Sequence, residues 1–409
     1  CMCVGLYSHS LSTHSQGKRT KSINQSSNQA SKQSLGNSRE RETKQKDIQN
    51  VSLTMGRKGF TDALALRYGL PVDRYPSTKE ELKLAEDALA ADLAKMSMVD
   101  QEKILFDIHG LPTIDEYSSV SLFDNTNGSS CSSSSFNSDN EDVDETTLGL
   151  LNALEHELRK IVDDRKSAYE LALYLKPEYV RGKALQLSFL RCSENDPALA
   201  ADQIVQHFAT KRTLFGSGDV LGRPVLFSDL TPGAVEWIES GCCQILPSRD
   251  AAGRIVMFMA AGFSKQDDLE DVSRAIWYIE QVAAMSDEVS ATRDGIIVVE
   301  YNLGAYGAIF DVKEMEFLYN HSVDGSPIKV AVGHFCYDDP DMESYVAGAS
   351  IFSDESCRHR ARIHFGNSTE EVLFRLQTFG IPTDEFPINE QQTLELGWHR
   401  EWLACQKKR

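Results

Sequence analysis

A chain of 409 residues with 41% hydrophobic content is long enough for two or three domains and can bury a sizeable core in part of its length. The net charge is −19 although residues 1–58 hold ten Lys and Arg against three Asp and Glu. The rest of the chain is therefore acidic, which argues against nucleic acid as the main partner. No apolar stretch reaches ~18 residues, so no transmembrane helix is predicted. Nine cysteines without a CxxC spacing indicate reduced thiols of a cytoplasmic protein.

The N-terminal segment, 1–56, is rich in Ser, Asn, Gln and Lys and poor in aromatic residues. Such a segment cannot bury enough apolar surface to offset the entropy of ordering, so we expect a disordered extension. Its basic, nearly acid-free composition leaves an organelle transit peptide as the alternative. Residues 57–116 are expected to form a helical hairpin, in which a capping box starting at Thr78 opens the first helix and Ser97 caps the second.

A Ser- and Asp-rich linker, 117–146, precedes a predicted helical subdomain over 147–216. Three helices are expected there. The second begins at Pro177, and the third has Asp196 as N-cap and Pro197 as its first residue. The apolar stripe of the first helix comprises Leu151, Leu154, Leu158, Ile161 and Val162.

Residues 217–390 alternate short apolar runs with amphipathic stretches, a pattern typical of an α/β domain with a mixed, largely parallel sheet. Two strands joined by a tight turn at 250–253 are expected over 242–259. The other expected elements are a helix over 267–285, a strand over 295–303, a helix from Asp311, strands over 328–336 and 360–365, and a helix from Ser368. The C-terminal tail, 391–409, is expected to pack on this domain, and an interfacial membrane anchor is the alternative.

The stretch after the strand over 328–336 predicts a short amphipathic helix. Asp339 can cap a helix that starts at Pro340 and ends near Asp354. The apolar side chains at helical spacing are Met342, Tyr345, Val346, Ala349 and Phe352. Leaving the four large ones in water costs roughly 6–12 kcal/mol, so something apolar must cover them. Either the helix packs permanently on the sheet, or it closes a cavity that holds an apolar ligand, and the sequence alone leaves both open.

The sequence contains none of the enzyme signatures G-x-S-x-G, P-loop or H-E-x-x-H, so we expect a protein that is not an enzyme and needs no cofactor. A zinc-dependent enzyme is the alternative, because His334 with Cys336 and Cys357 with His359 are pairs of ligand type that share strand faces. A buried thiol and a hydrogen-bonded histidine account equally well for the first pair, and no metal site is predicted.

Five segments, in their order and spacing, resemble the CRAL-TRIO lipid-binding and lipid-transfer family. They are Phe189-Leu-Arg191 followed by Asp196, the turn Arg249-Asp-Ala-Ala-Gly-Arg254, Gly295-Ile-Ile-Val-Val299, Arg362-Ile-His-Phe-Gly-Asn367 and Phe379-Gly-Ile-Pro382. The resemblance covers residues 148–387. It implies a helical subdomain beside a mixed sheet that holds a lipid in an apolar pocket, closed by a mobile gate helix in the place of residues 340–354.

The resemblance also implies the functional residues. Basic residues before the last strand would hold phosphoinositide headgroups, and here these are Arg358, Arg360 and Arg362, whose guanidinium groups suit phosphate. The expected pocket residues are Met257, Met259, Trp277, Val299, Val330, Val332, Met342, Tyr345, Val346 and Phe352. We therefore expect a cytoplasmic monomer that binds a phospholipid, phosphoinositide or isoprenoid and visits membranes transiently as a peripheral protein. The alternative is a ligand-free scaffold that acts through protein partners.

Overall fold

The computed structural model describes residues 78–110, 144–162, 164–260, 263, 268–287, 289–304, 325–339, 342, 355–366, 368–389 and 391–408. The extension 1–56, most of the linker, the helix expected from Asp311 and all of the gate segment except Met342 lie outside these residues. Among the described helices, none combines the length and the apolar character that crossing a membrane demands.

The predicted hairpin is present as α1 (Lys79–Leu93) and α2 (Met98–His109). The capping box is confirmed: the Glu81 amide donates to Thr78 Oγ1 at 3.1 Å and the Thr78 amide to Glu81 Oε2 at 3.2 Å. Ser97 caps α2 by accepting from the Asp100 amide, and α2 ends at Gly110, whose φ of 63° suits glycine. Local capping chemistry therefore fixes where both helices begin.

Five helices follow in place of the three expected ones: α3 (Glu145–Lys160), α4 (Lys166–Leu175), α5 (Pro177–Val180), α6 (Lys183–Cys192) and α7 (Pro197–Phe215). Helix α4 is not predicted because its N-cap, Arg165, makes no side-chain cap bond and gives no start signal. The predicted apolar stripe of the first helix extends too far, since Val162 is 92% exposed. Asp196 caps α7 as predicted, accepting from the amides of Ala198 and Leu199. The five helices share a core of their own.

A five-stranded sheet forms the centre of the second part, in the order β1 (Cys243–Ile245), β2 (Val256–Met259), β3 (Ile296–Tyr301), β4 (Val330–Tyr337) and β5 (Ala361–Phe365). β1 is antiparallel to β2 and the other pairs are parallel, so the predicted mixed, largely parallel α/β sheet is confirmed. The turn between β1 and β2 lies where predicted, with Gly253 at a φ of 81°. Helices α8 (Pro232–Glu239), α9 (Leu269–Ser286), α10 (Glu355–Arg360), α11 (Thr369–Gln377) and α12 (Gly397–Gln406) are the other described α-helices. Short 3-10 helices span Asp219–Gly222, Phe227–Asp229 and Thr383–Glu385, and a π-helix spans Ser290–Asp294.

Both faces of the sheet are buried, as expected for a largely parallel sheet. One face packs against helices α8 and α9, and we call it the α9 face. The strand residues on it include Met257, Met259, Ile296, Val298, Phe335 and Tyr337. The α11 face packs with α11, and its strand residues are Val256, Phe258, Ile297, Val299, Tyr301, Val332 and Cys336. The tail packs on the domain as expected: Leu403 of α12 joins the core of the α9 face, and His399 Nε2 lies 2.6 Å from the Ile238 carbonyl oxygen.

Candidate functional site

The expected pocket residues lie on two different faces of the sheet. Met257, Met259 and Trp277 belong to the core of the α9 face, and Val330 packs against it. Val299 and Val332 belong to the α11 face, so they cannot line the same pocket and that part of the prediction is corrected. Side chains at odd and even strand positions point to opposite faces, and the register of the strands cannot be read from the sequence alone.

A β-bulge explains why Val330 and Val332, only two residues apart, point to opposite faces. Ile296 pairs with Val330 but the next residue, Ile297, pairs with Val332, so the register between β3 and β4 shifts by one residue at this point. A bulge of this kind interrupts the simple alternation on which face predictions depend. The pairing from there to Cys336 is regular, which places Phe335 and Tyr337 on the α9 face.

Met342 is the one residue of the predicted gate segment that the structure describes; Tyr345, Val346 and Phe352 lie outside the described residues. Its side chain is 2% exposed and belongs to the buried cluster that contains Met257, Met259 and Trp277. Its amide donates to the Asp339 carbonyl oxygen at 3.0 Å, which begins a turn directly after β4. The start of the predicted gate thus meets the α9 face and not the α11 face.

The α9 face continues to the edge strand with apolar side chains that water reaches. Ile363 and Phe365, on β5, are 45% and 36% exposed, and the Phe365 ring lies 5.5 Å from the ring of Tyr337. Exposed apolar side chains on an edge strand are a feature that proteins usually avoid. An apolar path therefore runs from the buried strands β2 to β4 to the surface at β5.

A buried carboxyl group interrupts the apolar character of the α9 face, and the sequence analysis missed it. Glu300 is 1% exposed and sits in register between Met259 and Phe335. Asn302 Nδ2 donates to Glu300 Oε1 at 3.0 Å, while Glu300 Oε2 and Asn302 Oδ1 have no hydrogen-bond partner within the part of the chain that the structure describes. Burial raises the pKa of Glu300 to about 7. The signal that could have found it is an acidic residue inside the run 295–301.

A second buried carboxyl group, that of Glu280, lies on α9. Burial raises the pKa of Glu280 to about 8, against a hydrogen bond with Ser326 that lowers it, and its Oε2 has no hydrogen-bond partner among the described residues. Two carboxyl groups whose pKa is raised to neutral pH or above therefore belong to the strand and helix layers of this half of the molecule. Neither belongs to a group of three described His, Cys, Asp or Glu side chains that could hold a metal ion.

The basic residues expected to hold headgroups face carboxylates of the hairpin. Arg358 Nε and Nη2 lie 3.2 and 3.1 Å from Asp92 Oδ2, and His359 Nε2 lies 3.2 Å from the same oxygen. Arg360 Nε donates to Asp107 Oδ2 at 2.7 Å.

The other contacts of this basic segment are also internal. Lys329 Nζ lies 3.1 Å from Asp107 Oδ1. Arg362 Nη1 donates to the carbonyl oxygens of His359 and Ala361 at 3.1 and 2.6 Å, and burial lowers its pKa. Helices α1 and α2 thus cover the surface that the sequence analysis assigned to phosphate.

Of the residues of the zinc alternative, the structure describes the side chains of His334, Cys336 and His359, and the side chain of Cys357 lies outside the described part. His334 Nδ1 lies 2.8 Å from His364 Nε2, and both rings make T-shaped contacts with the Phe379 ring. Burial lowers the pKa of His364 to about 4 and holds that of His334 well below its ordinary value, so this pair is neutral. Burial raises the pKa of the Cys336 thiol. Within the described ranges, no group of three His, Cys, Asp or Glu side chains could hold a metal ion.

Comparisons with known proteins add no relative to this picture. The chain matches no family model, and a search of curated proteins finds no significant match.

Proposed function

We propose that this chain is a non-enzymatic binder of a hydrophobic lipid, of the CRAL-TRIO type, that holds its ligand against the α9 face. The proposed lipid is a phospholipid, phosphoinositide or isoprenoid. The same proposal includes transfer of this lipid between membranes. The protein would act as a cytoplasmic monomer that associates transiently with membranes. The observation that carries it is Met342. This residue belongs to the predicted gate segment and is buried on the face that bears Met257, Met259 and Trp277.

The apolar path to the edge strand supports the proposal. A ligand that enters a pocket on the α9 face must cross the protein surface, and Ile363 and Phe365 offer an apolar surface at the edge of that face. A lipid that buries ~500 Å² of apolar surface gains on the order of 12 kcal/mol before the costs of binding, at 25 cal/mol per Å².

A pair of size-increasing substitutions tests the proposal. Met259 and Phe258 are adjacent, are both fully buried and point to the α9 face and the α11 face respectively. Inserting a larger side chain into a filled core costs about 1–3 kcal/mol, whereas inserting one into a ligand cavity displaces the ligand. We expect Met259→Trp to lower the lipid-to-protein ratio in native mass spectra with a small change in the unfolding free energy of the delipidated protein. Phe258→Trp is the control, with unchanged lipid content and a loss of about 1–3 kcal/mol.

The opposite result refutes the pocket. If Met259→Trp lowers the unfolding free energy as much as Phe258→Trp does, and leaves the lipid content unchanged, the α9 face is filled by the protein's own side chains. A scaffold function is then the better account. The exposed Ile363 and Phe365 on an edge strand favour that second candidate, because such edges also bind protein partners. An empty domain that co-purifies with one stable protein partner would support it.

A further inference from the structure

Three histidines surround the ring of Phe379 where the hairpin meets the sheet. His109, the last residue of α2, stacks on Phe379 with ring centroids 5.1 Å apart and ring planes 7° apart. His334 of β4 and His364 of β5 make T-shaped contacts with the same ring, at centroid distances of 4.9 and 5.4 Å. One aromatic ring therefore connects the end of the hairpin with two strands of the α11 face.

Helix α2 closes over this cluster. Ile104 and Ile108 of α2 belong to the buried core of the α11 face, and Phe379 packs against that core. His334 and His364 are accordingly only 1% and 4% exposed. Full hydration of these two imidazoles therefore requires a movement of α2 together with the Phe379 ring.

The contact between His334 and His364 has room for one proton. His334 Nδ1 lies 2.8 Å from His364 Nε2, so one of these nitrogens donates a hydrogen bond and the other accepts it. If both rings were protonated, two N–H groups would point at each other and the contact would break. His334 Nε2 has no hydrogen-bond partner among the described residues, so a proton added there is buried without an acceptor. The closed arrangement therefore favours the neutral form of both rings.

The charged side chains around the cluster reinforce this preference. Burial is the first cause that lowers the pKa of all three histidines, to about 4 for His364 and well below the ordinary value for His334. The positive charges of Arg254 and Arg362 act in the same direction on His109 and His334, and those of Arg375 and Arg362 act on His364. Carboxylates of the neighbouring elements pair with other cations: Asp107 with Lys329 and Arg360, Asp250 with Arg254, Glu371 with Arg375, and Asp92 with Arg358 and His359.

We infer that His109, His334 and His364 form an acid-sensitive latch, which holds the hairpin closed on the α11 face at neutral pH and releases α2 as the pH falls towards 5. The inference does not depend on lipid binding. The released form exposes Ile104, Ile108 and the apolar core that they cover. Acid thus converts the closed protein into a form with a new apolar surface.

The direction of the effect follows from the linkage between proton binding and opening. Above pH 7 the histidines are neutral in both forms and do not influence the equilibrium. Below pH 6.5 the open form binds protons that the closed form excludes, until the pH reaches the pKa of the closed form. Between pH 7.5 and pH 5, a histidine whose pKa moves from 6.5 to about 4 multiplies the ratio of open to closed protein by roughly 25. His334 and His364 together therefore change this ratio by roughly several hundred-fold.

Hydrogen exchange of the full chain tests the latch. The protection factors of the α2 amides, corrected for the intrinsic exchange rate at each pH, should fall by roughly several hundred-fold between pH 7.5 and pH 5. A fall of less than about three-fold over this range would overturn the inference, because burial of the pair would then have no consequence for opening.

The double variant His334→Phe with His364→Phe keeps two aromatic rings and cannot take up a proton. It also removes both partners of one hydrogen bond, a change that can be nearly neutral for stability. The loss of α2 protection between pH 7.5 and pH 5 should shrink to less than about ten-fold in this variant, to which His109 still contributes. A loss as large as that of the unaltered chain would assign the acid response to other groups, such as the carboxylate of Asp107, and would overturn the inference.

His207→Phe is the matched control. His207 is also buried, its Nδ1 lies 2.5 Å from the Gly325 carbonyl oxygen, and burial lowers its pKa to about 3, but it belongs to α7. This variant should leave the pH dependence of α2 protection unchanged. If it removes that dependence as fully as the double variant does, the response reflects acid destabilisation of the whole fold and the latch is refuted.

Imidazole signals of the unaltered chain, labelled with carbon-13 at histidine, decide the matter if the double variant does not fold. At pH 6 the rings of His334 and His364 should still be neutral in the closed form, and they should become imidazolium only as α2 loses its protection. Imidazolium signals from either residue in the closed protein at pH 6 would overturn the inference.

Discussion

Replacing Glu300 by glutamine should stabilise the protein above pH 7 and have almost no effect near pH 4. Burial raises the pKa of Glu300 from 4.5 to about 7, so the folded protein holds a proton that the unfolded chain has lost. Stability contributed by this proton is fully present below pH 4.5 and is lost as the pH rises towards 7. A difference of roughly 2.5 pKa units corresponds to about 3 kcal/mol at 1.36 kcal/mol per unit. Glutamine mimics the protonated acid, keeps an oxygen for Asn302 Nδ2 and cannot ionise.

The assay is urea denaturation of the unaltered chain and the Glu300→Gln variant at pH 4 and pH 8. We expect the unfolding free energies to agree at pH 4 and to differ by up to about 3 kcal/mol at pH 8, with the variant more stable. Glu401→Gln, at an exposed position of α12, is the control and should shift neither value. Equal stabilities of the Glu300→Gln variant and the unaltered chain at pH 8 would show that Glu300 is ionised at little cost, and would refute its placement in a dry apolar layer.

The remaining predictions concern the hairpin, the gate and a helix cap. Asp107→Asn removes one partner of a buried ionic cluster and should lower the free energy of hairpin opening by about 3 kcal/mol, as measured by hydrogen exchange of α2. The control Asp87→Asn removes an exposed pair and should change that free energy by under about 0.5 kcal/mol. Equal effects of the two substitutions would contradict the buried pairing. Val346→Asp should abolish lipid loading without unfolding the domain, and normal loading would count against the gate assignment. Asp196→Ala removes the cap of α7 and should cost about 1 kcal/mol in urea denaturation; no loss would contradict the role of the two cap bonds.

Local chemistry made much of the fold predictable. Thr78, Ser97 and Asp196 mark helix starts by side-chain oxygens that bind the next free amides, and the structure confirms all three. The apolar runs around Val298 and Val332 are too short and too β-branched for helices, and they form β3 and β4. Where the local signal was absent, as at the uncapped start of α4, the prediction failed.

The candidate site was less predictable, because tertiary contacts decide it. The bulge between β3 and β4 reversed the face of Val332 relative to Val330, and alternation alone gives no warning of a bulge. Pairing of Arg358 with Asp92 joins residues 266 positions apart, so no local pattern could show that the basic segment is covered. Glu300 was visible in the sequence as an acid within an apolar run, but its burial became apparent only from the sheet register.

Native mass spectrometry of the purified full-length chain tests the central claim most directly. The account predicts that the folded protein carries one lipid-sized mass, which organic extraction removes and which Met259→Trp reduces. A spectrum of the folded protein at its bare polypeptide mass, unchanged after incubation with lipid vesicles, would contradict it.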